Sequence, residues 1–349
     1  MGLLQLLTLP VLAGTWLLTF PVLGRARRVR APANQTPPQD ARLPVVENGH
    51  FVTRDGLALR LAHWDAIVPH AVIVALHGMN DYSNAFAIPA PLWAQKGITT
   101  YAYDQRGFGR AQKIGLWADT DVMRRDLADF VDVVRSFHPG LPVVVLGESM
   151  GGAVALSAFS SDNAPRAQAC VLVAPAVWGW SVLPAAYRVA LWVAMYALPS
   201  WGLTGAGRRI RSTDNEDVAR AYGSDPLFHK SARTDAIYRL VELMAKGAKA
   251  PTHLGTLPVL LLYGGNDQII PRVATEVFSA LLGQHATVRF YPDGFHMLLR
   301  DRAGAARAAD IAEWIDAIAG NRPPVRSNPP SGCEAENGDR NGAETTTPR

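Results

Sequence analysis

Ser149 lies within Gly147–Gly151, which reads Gly-Glu-Ser-Met-Gly and directly follows the apolar run Val143–Leu146. A sharp turn from a strand into a helix needs small residues two positions before and two positions after the serine. Larger side chains there would collide with the neighbouring strand and helix. Such a turn exposes the serine oxygen and directs the free N–H groups of the helix N-terminus at developing negative charge. The pattern therefore predicts that Ser149 is a nucleophile for acyl transfer.

Two further residues would complete a catalytic triad with this serine. A nucleophilic serine needs a general base, and the base needs a carboxylate that orients it. With this turn the chain order is serine, acid, histidine. Asp267 follows the next-to-last predicted strand and His296 follows the last one, so both would lie at the carboxyl edge of a parallel sheet. Asp293 and Asp301 are the nearest rivals for the acid, although Asp293 is too close to His296 to come from a separate strand end.

Backbone donors for an oxyanion are predicted on both sides of the serine. The loop after the strand Ala71–Leu76 supplies one such donor in proteins with this turn, and the residue after the nucleophile supplies the other. These donors would be the N–H groups of Met79 and Met150. Together such donors contribute several kcal/mol to transition-state stabilisation. We interpret His77 as a residue that braces this loop by hydrogen bonds, rather than as a metal ligand.

No cofactor or metal is expected. The glycines of Asp104–Gly109 follow a predicted strand but lack the G-x-G-x-x-G spacing of a phosphate-binding loop. We therefore interpret Asp104 and Arg106 as polar groups that brace a structural turn. The chain has two cysteines, which excludes a disulfide framework and a cysteine-rich zinc module.

The elements that must position these residues alternate between strands and helices. Short β-branched runs predict the strands Ala71–Leu76, Thr99–Tyr103, Val143–Leu146, Ala169–Val173, Val259–Tyr263 and Thr287–Tyr291. Helical patterns between them lie at Ala87–Lys96, Asp119–Phe137, Ala153–Ser160, Val273–Leu282 and Ala303–Ala319. The alternation predicts an α/β fold, with a mainly parallel central sheet and helices on both faces.

One gap in this alternation is too long for a loop and has helical patterns of its own. These are Val182–Leu198, Asn215–Tyr222 and Arg233–Ala248. We expect a helical cap, inserted at about residues 177–254 into a domain that covers residues 45–320. The first cap helix is almost wholly apolar, so it is either buried in the cap or in contact with lipid. The sequence leaves both possibilities open.

The two ends of the chain differ from its middle. Residues 3–23 carry no charge, and a membrane-spanning helix needs ~20 such residues. Arginines follow this segment, and basic residues are retained on the cytoplasmic side of a membrane. We therefore expect a membrane anchor over residues 1–24 with the main domain in the cytoplasm. The alternative is a signal peptide that is cleaved near Gly24, followed by export. Residues 25–44 are expected to form a basic, proline-rich linker, and residues 321–349 a disordered tail.

Charge and composition exclude other classes of protein. The apolar fraction of 48% and the charged fraction of 18% exclude a disordered protein. The net charge is +4, but four arginines lie within residues 25–30. Without them 30 of the 34 basic residues remain, which equals the 30 acidic residues. The main domain is thus neutral, which argues against a nucleic-acid partner.

Five motifs together resemble the monoacylglycerol lipase and lysophospholipase group of α/β-hydrolases. They are His77–Asp81, Asp104–Gly109, Gly147–Gly152, Ser224–Leu227 and Gly264–Asp267, and the resemblance covers roughly residues 48–318. It implies Ser149 as nucleophile, Asp267 as acid, His296 as base, and Met79 and Met150 as oxyanion donors. It also implies a mobile apolar cap over an acyl tunnel. The N-terminal hydrophobic segment and the proline-rich tail depart from the family pattern.

The leading hypothesis is a serine hydrolase that cleaves carboxylic esters of lipids, either monoacylglycerols or lysophospholipids, through an acyl-enzyme. An aminopeptidase or a thioesterase on the same fold is the alternative. An aminopeptidase would need acidic groups in the cap to hold a substrate amine. The cap contains candidates at Asp214, Glu216, Asp217, Asp225, Asp235 and Glu242. A non-catalytic, membrane-tethered scaffold is disfavoured because no member of the triad is missing.

Overall fold

The computed structural model describes residues 42–204 and 210–320. Its strands, in chain order, are β1 (Val45–Glu47), β2 (His50–Val52), β3 (Ala58–Trp64), β4 (Ala71–Leu76), β5 (Ile98–Tyr103), β6 (Val143–Glu148), β7 (Ala169–Val173), β8 (Gly202–Thr204), β9 (Ser231–Arg233), β10 (Val259–Gly264) and β11 (Ala286–Tyr291). Nine of these described strands form one sheet in the order β1-β2-β3-β5-β4-β6-β7-β10-β11. The pairs from β5 to β11 are parallel, and those from β1 to β3 and on to β5 are antiparallel.

Helices cover the sheet. They are α1 (Pro89–Gln95), α2 (Thr120–Phe137), α3 (Met150–Phe159), α4 (Ala185–Ala197), α5 (Glu216–Ser224), α6 (Thr234–Ala248), α7 (Arg272–Leu282) and α8 (Gly304–Ala319). Short 3-10 helices lie at Ser83–Phe86, Ala250–His253 and Gly283–His285. The predicted α/β fold with a mainly parallel sheet is confirmed.

The central strands are buried on both faces, which explains their unbroken apolar runs. All residues of β4 and β6 are buried. One apolar core lies under α2 and α3, with Leu127 and Leu156 among its residues. A second core on the other face contains Trp93 of α1 and Trp314 of α8. Both cores hold the carboxyl ends of the strands in place.

The antiparallel strands β1 to β3 were not predicted. Their signal is present in β3, where Leu59 and Leu61 are buried and alternate with exposed positions. The other two strands, β1 and β2, have three residues each, and β2 is flanked by turn residues. They extend the sheet on the side away from β11.

The segment between β7 and β10 contains α4, α5 and α6, together with the two-stranded ribbon of β8 and β9. Of the two possibilities for its first helix, burial within the cap is wrong. Within α4, Leu191 is the buried residue. The side chains of Val189, Trp192, Val193 and Tyr196 are about half exposed or more.

Several predictions concern residues outside the described part of the chain. These are the anchor or signal segment over residues 1–24, residues 25–41 of the linker, and the tail over residues 321–349. Among the described helices, none combines the length and the apolar character that a membrane crossing requires.

Candidate active site

Ser149 occupies the sharp turn between β6 and α3. Its backbone has φ 52° and ψ −114°, a region that residues other than glycine rarely adopt. A Cβ on Gly151 would lie 2.2 Å from the carbonyl oxygen of Leu76, and one on Gly147 would lie 2.5 Å from that of Gly151. Glycine at position 151 thus allows the turn to pack against β4, and glycine at position 147 allows the first turn of α3 to pack against the end of β6. The turn leaves the Ser149 side chain accessible at the carboxyl edge of the sheet.

His296 and Asp267 meet at the same edge. Nδ1 of His296 lies 2.8 Å from Oδ2 of Asp267. The side chains are 8% and 0% exposed. The other oxygen of Asp267 accepts hydrogen bonds from the backbone N–H groups of Ile269 and Ile270, at 2.7 and 3.0 Å. The carboxylate is therefore held in one orientation, and it in turn orients the imidazole.

The surroundings of His296 act on its pKa in opposite directions. Burial disfavours the charged ring, but the Asp267 carboxylate and, more weakly, Glu148 favour it. The net result is a pKa of His296 above its ordinary value of 6.5. A base of this kind is neutral only above that raised pKa.

The segment of His296 also contacts the turn of Ser149. Arg300, in the loop that follows His296, donates to Glu148, the residue before Ser149. Within the described residues no hydrogen bond joins Ser149 Oγ to His296. In ligand-free structures such bonds are often long and shorten only when substrate is bound.

The loop after β4 lies beside the serine. A Cβ on Gly78 would lie 3.3 Å from Cβ and 3.9 Å from Oγ of Ser149, and Met79 is the next residue of this loop. Among the described residues, the backbone N–H groups of Met79 and Met150 have no acceptor. Met150 is the first residue of α3, where N–H groups have no partner within the helix. Both predicted oxyanion donors are thus unengaged and close to Ser149.

His77 braces this loop, as the sequence indicates. Its Nε2 accepts from the backbone N–H of Gln105 at 2.9 Å, and its Nδ1 donates to the carbonyl of Gly78 at 2.8 Å. Complete burial lowers the pKa of His77, in agreement with a neutral ring in these roles. Nearby, Asp104 accepts from the backbone N–H groups of Ser83 and Arg110.

The two rival acids are engaged elsewhere. Asp293 has a side chain that is 72% exposed and lies 3.4 Å from Arg307. Asp301 is buried, and it accepts from Arg307 at 2.5 Å, from the N–H of Phe295 at 2.8 Å and from Thr213 at 2.8 Å. Asp301 thus supports the loop of His296 without touching its ring.

Sequence reasoning missed a buried charged cluster behind the candidate triad. Arg300 donates to Asp81 at 2.6 Å and to Glu148 at 2.5 Å. The motifs contained Asp81 and Glu148, but their side chains had no assigned role. The signal in the sequence was that Asp81 closely follows Met79 and that Glu148 directly precedes Ser149. That both carboxyl groups contact Arg300 is visible only in the structure.

Comparisons with known proteins agree with this arrangement. Residues 68–303 match the family model described as "Serine aminopeptidase, S33". The chain is 28% identical over 258 residues to a monoacylglycerol lipase of Mycolicibacterium smegmatis, which covers 71% of this chain and 88% of that protein. It is 26% identical over 280 residues to the monoglyceride lipase of Homo sapiens, and the match covers 78% of this chain and 91% of that protein.

Solved structures share the fold. A monoacylglycerol lipase of Paleococcus ferrophilus superposes with a TM-score of 0.63 at 21% identity, covering 74% of this chain and 99% of that one. A soluble variant of the monoglyceride lipase of Saccharomyces cerevisiae, in complex with a substrate analogue, has a TM-score of 0.67 at 18% identity. This superposition covers 83% of this chain and 99% of the yeast chain. The α/β-hydrolase fold predicted from the motifs is confirmed.

Proposed function

The chain belongs to the serine aminopeptidase (S33) family and is a monoacylglycerol lipase-like α/β-hydrolase, and we propose that it hydrolyses carboxylic esters of lipids through Ser149, His296 and Asp267. The observation that carries this proposal is the contact between His296 and the buried Asp267 carboxylate, at the sheet edge where Ser149 sits in its strained turn. The substrates are monoacylglycerols or lysophospholipids.

In the proposed reaction, His296 takes the proton of Ser149 while the serine oxygen attacks the ester carbonyl. The N–H groups of Met79 and Met150 stabilise the resulting oxyanion. The tetrahedral intermediate collapses, and protonated His296 gives its proton to the leaving alcohol. Water then attacks the acyl-enzyme with His296 again as base, which releases the fatty acid and restores Ser149. Asp267 stays ionised and stabilises the imidazolium.

The raised pKa of His296 predicts the pH dependence of hydrolysis. Because His296 must be neutral to accept the proton, kcat/KM should fall as the pH drops through the pKa of the free enzyme. We expect this acid limb to be centred above 6.5, the ordinary value of the imidazole. Steady-state rates on a soluble short-chain p-nitrophenyl ester, from pH 5 to 9, measure it. An acid limb centred at or below 6.5 would contradict the assignment of His296 or its environment.

The choice of lipid substrates is supported by the similar lipases and by the exposed face of α4. This helix presents Val189, Trp192, Val193 and Tyr196 to solvent. A groove lined by Trp180, Arg188, Val189, Trp192 and Tyr238 runs beside it. Exposed aromatic and aliphatic side chains on one helix suit contact with a lipid aggregate. We therefore assign α4 to the approach of aggregated substrate.

Loss of an aromatic side chain from this face should affect aggregated substrate selectively. We expect Trp192→Ser to reduce the rate on a monoacylglycerol in mixed micelles by about fivefold or more, because apolar contact area is lost. The rate on the soluble ester should be unchanged. The matched control is Leu281→Ser on α7, since Leu281 is 54% exposed and Trp192 is 52% exposed. Equal effects of both substitutions on micellar substrate would argue against this role of α4.

The aminopeptidase alternative is not favoured by the side chains of the cap. Of the acidic residues that could hold a substrate amine, three pair with a neighbouring arginine on their own segment. These pairs are Asp217 with Arg220, Asp235 with Arg233, and Glu242 with Arg239. Two others accept hydrogen bonds: Asp225 from Tyr82, and Asp214 from the N–H of Arg302. The sixth, Glu216, is exposed in the first turn of α5. A thioesterase shares the triad and is distinguished by substrate alone.

The deciding experiment compares substrates on the purified full chain, each with wild type and Ser149→Ala. The substrates are a long-chain monoacylglycerol, a lysophosphatidylcholine, an acyl thioester, a short p-nitrophenyl ester and an aminoacyl amide. Serine-dependent preference for the long-chain lipids supports the proposal, and their ratio identifies the head group. Activity confined to the aminoacyl amide or to the thioester would replace the proposed lipid ester hydrolase with a peptidase or a thioesterase.

Membrane association through residues 3–23 and a cytoplasmic location stay predictions from the sequence.

A further inference from the structure

The cluster around Arg300 is buried and charged. Arg300 is 3% exposed, and the carboxylates of Asp81 and Glu148 are 4% and 2% exposed. One guanidinium thus faces two carboxyl groups, and burial raises the pKa of Glu148. Among the described residues, Oε2 of Glu148 and Nε of Arg300 have no hydrogen-bond partner.

Each member of the cluster belongs to a different segment of the candidate active site. Asp81 lies in the loop that carries Met79. Glu148 immediately precedes Ser149, and Arg300 follows His296 in the same loop. A single side chain therefore joins the oxyanion loop, the nucleophile turn and the loop of the general base.

The same guanidinium also contacts the cap. Nη1 of Arg300 donates to the hydroxyl of Tyr222 in α5, and Cζ of Arg300 lies 5.1 Å from the centroid of the Tyr222 ring. Burial raises the pKa of Tyr222 to about 12, so its hydroxyl is neutral and accepts from the arginine. Among the described cap residues, Tyr222 is the one whose side chain contacts the guanidinium, whereas Thr213 donates to the backbone carbonyl of Arg300 at 3.5 Å.

Two further contacts join the cap segment after Tyr222 to the oxyanion loop. The hydroxyl of Tyr82 donates to Asp225 at 2.7 Å. The backbone N–H of His229 donates to the carbonyl of Asn80 at 2.9 Å. The position of this cap segment and that of the oxyanion loop are therefore mechanically linked.

The energetics favour a role in positioning over a role in stability. Buried ion pairs pay a large desolvation penalty, and apolar residues of similar volume are often as stabilising. What the planar guanidinium supplies is geometry, because its separate nitrogens hold partners in fixed directions. Here those partners are the segments that must be arranged for the reaction.

We propose that Arg300 and Tyr222 are positioning residues that couple the cap to the catalytic step. Arg300 fixes the relative positions of the segments that carry Ser149, Met79 and His296. Through Tyr222, these relative positions depend on the position of the cap. This inference rests on the proposed triad. It extends the role of the cap, because a cap that only lined an acyl tunnel would not affect a substrate too short to reach it.

The test is Tyr222→Phe, which removes the accepting oxygen and keeps the ring. We expect kcat on a soluble short-chain p-nitrophenyl ester to fall by about fivefold to tenfold, since a hydrogen bond to a charged group is lost. KM should stay within about twofold. The rate of fluorophosphonate labelling at Ser149 should fall in parallel with kcat. The matched control is Tyr101→Phe, which removes a hydroxyl that bonds to His138 beyond the C-terminal end of α2.

The outcomes separate this inference from the proposed function. If Tyr222→Phe behaves like Tyr101→Phe on the short ester, while Ser149→Ala abolishes hydrolysis, the coupling is wrong and the proposed triad stands. An effect of Tyr222→Phe on KM for long-chain lipid alone would likewise overturn the coupling. Hydrolysis that survives Ser149→Ala would overturn the proposed function itself.

A second variant tests the geometry of the guanidinium. Arg300→Lys keeps the charge but has one nitrogen in place of the two that reach Asp81 and Glu148. We expect kcat on the short ester to fall further in Arg300→Lys than in Tyr222→Phe. The fluorophosphonate probe should still label Ser149, but more slowly than in the wild type. Full kcat in a folded Arg300→Lys protein would overturn the proposal. If this variant does not fold, Tyr222→Phe decides alone.

Discussion

Replacing Ser149 with alanine is expected to reduce ester hydrolysis by at least about a thousandfold. The reason is that Oγ of Ser149 is the proposed nucleophile, and without it the ester bond of the acyl-enzyme cannot form. Its turn, with φ 52°, places that oxygen at the N-terminus of α3 and beside the loop of Met79. The residual rate would come from substrate binding and the backbone donors alone.

Two measurements check this expectation. Hydrolysis of a monoacylglycerol and a short ester gives the loss of rate, and a fluorophosphonate probe reports the reactive serine. The matched control is Ser160→Ala, because Ser160 lies at the other end of α3 and its hydroxyl donates to the carbonyl of Leu156. Labelling or turnover that persists in Ser149→Ala, with Ser160→Ala unaffected, would identify a different nucleophile.

Replacing Asp267 with asparagine should have the second largest effect, a loss of kcat on the order of a thousandfold. The amide removes the negative charge that lies 2.8 Å from Nδ1 of His296. Without that charge the imidazolium formed during the reaction is less stable. The amide also favours the wrong tautomer of the ring, so that Nε2 no longer accepts the proton of Ser149.

The comparison variant is Asp293→Asn, which changes the rival acid in the same loop region. Asp293 has an exposed side chain that pairs with Arg307, so its loss should leave kcat within about twofold. Both variants are also checked by thermal unfolding, which separates a catalytic effect from a loss of fold. A large loss of kcat in Asp293→Asn with little effect in Asp267→Asn would exchange the two assignments.

The sequence was most informative where one residue type satisfies a local steric demand. Gly147 and Gly151 predict the turn of Ser149, because any Cβ there would collide with backbone atoms. The apolar runs predict the central parallel strands, since strands buried on both faces exclude polar side chains. The start of α3 was predicted too late, at Ala153 rather than Met150. The low helix propensity of Gly151 and Gly152 hides a helix that the turn imposes.

The weaker predictions concerned elements that depend on partners far along the chain. The strands β1 and β2 have three residues each, and they join the sheet only through β3, which pairs with β5. The exposure of α4 could not be inferred from its apolar composition, since such a helix is equally compatible with burial. Only its packing, which buries Leu191 and leaves Trp192 exposed, distinguishes the two.

By itself, the sequence determined the α/β fold and the residue types of the candidate triad at the ends of its strands. Local sterics and strand order are properties of the chain alone, and parallel strands bring their carboxyl ends to one edge. The tertiary structure shows that Asp267, the acid that the sequence predicts, faces His296, whereas its rivals Asp293 and Asp301 pair with Arg307. It alone decided that Arg300 gathers Asp81, Glu148 and Tyr222. Side chains so distant in sequence meet only when the packed strands and cap bring them together, and no local pattern encodes which of them will share a partner.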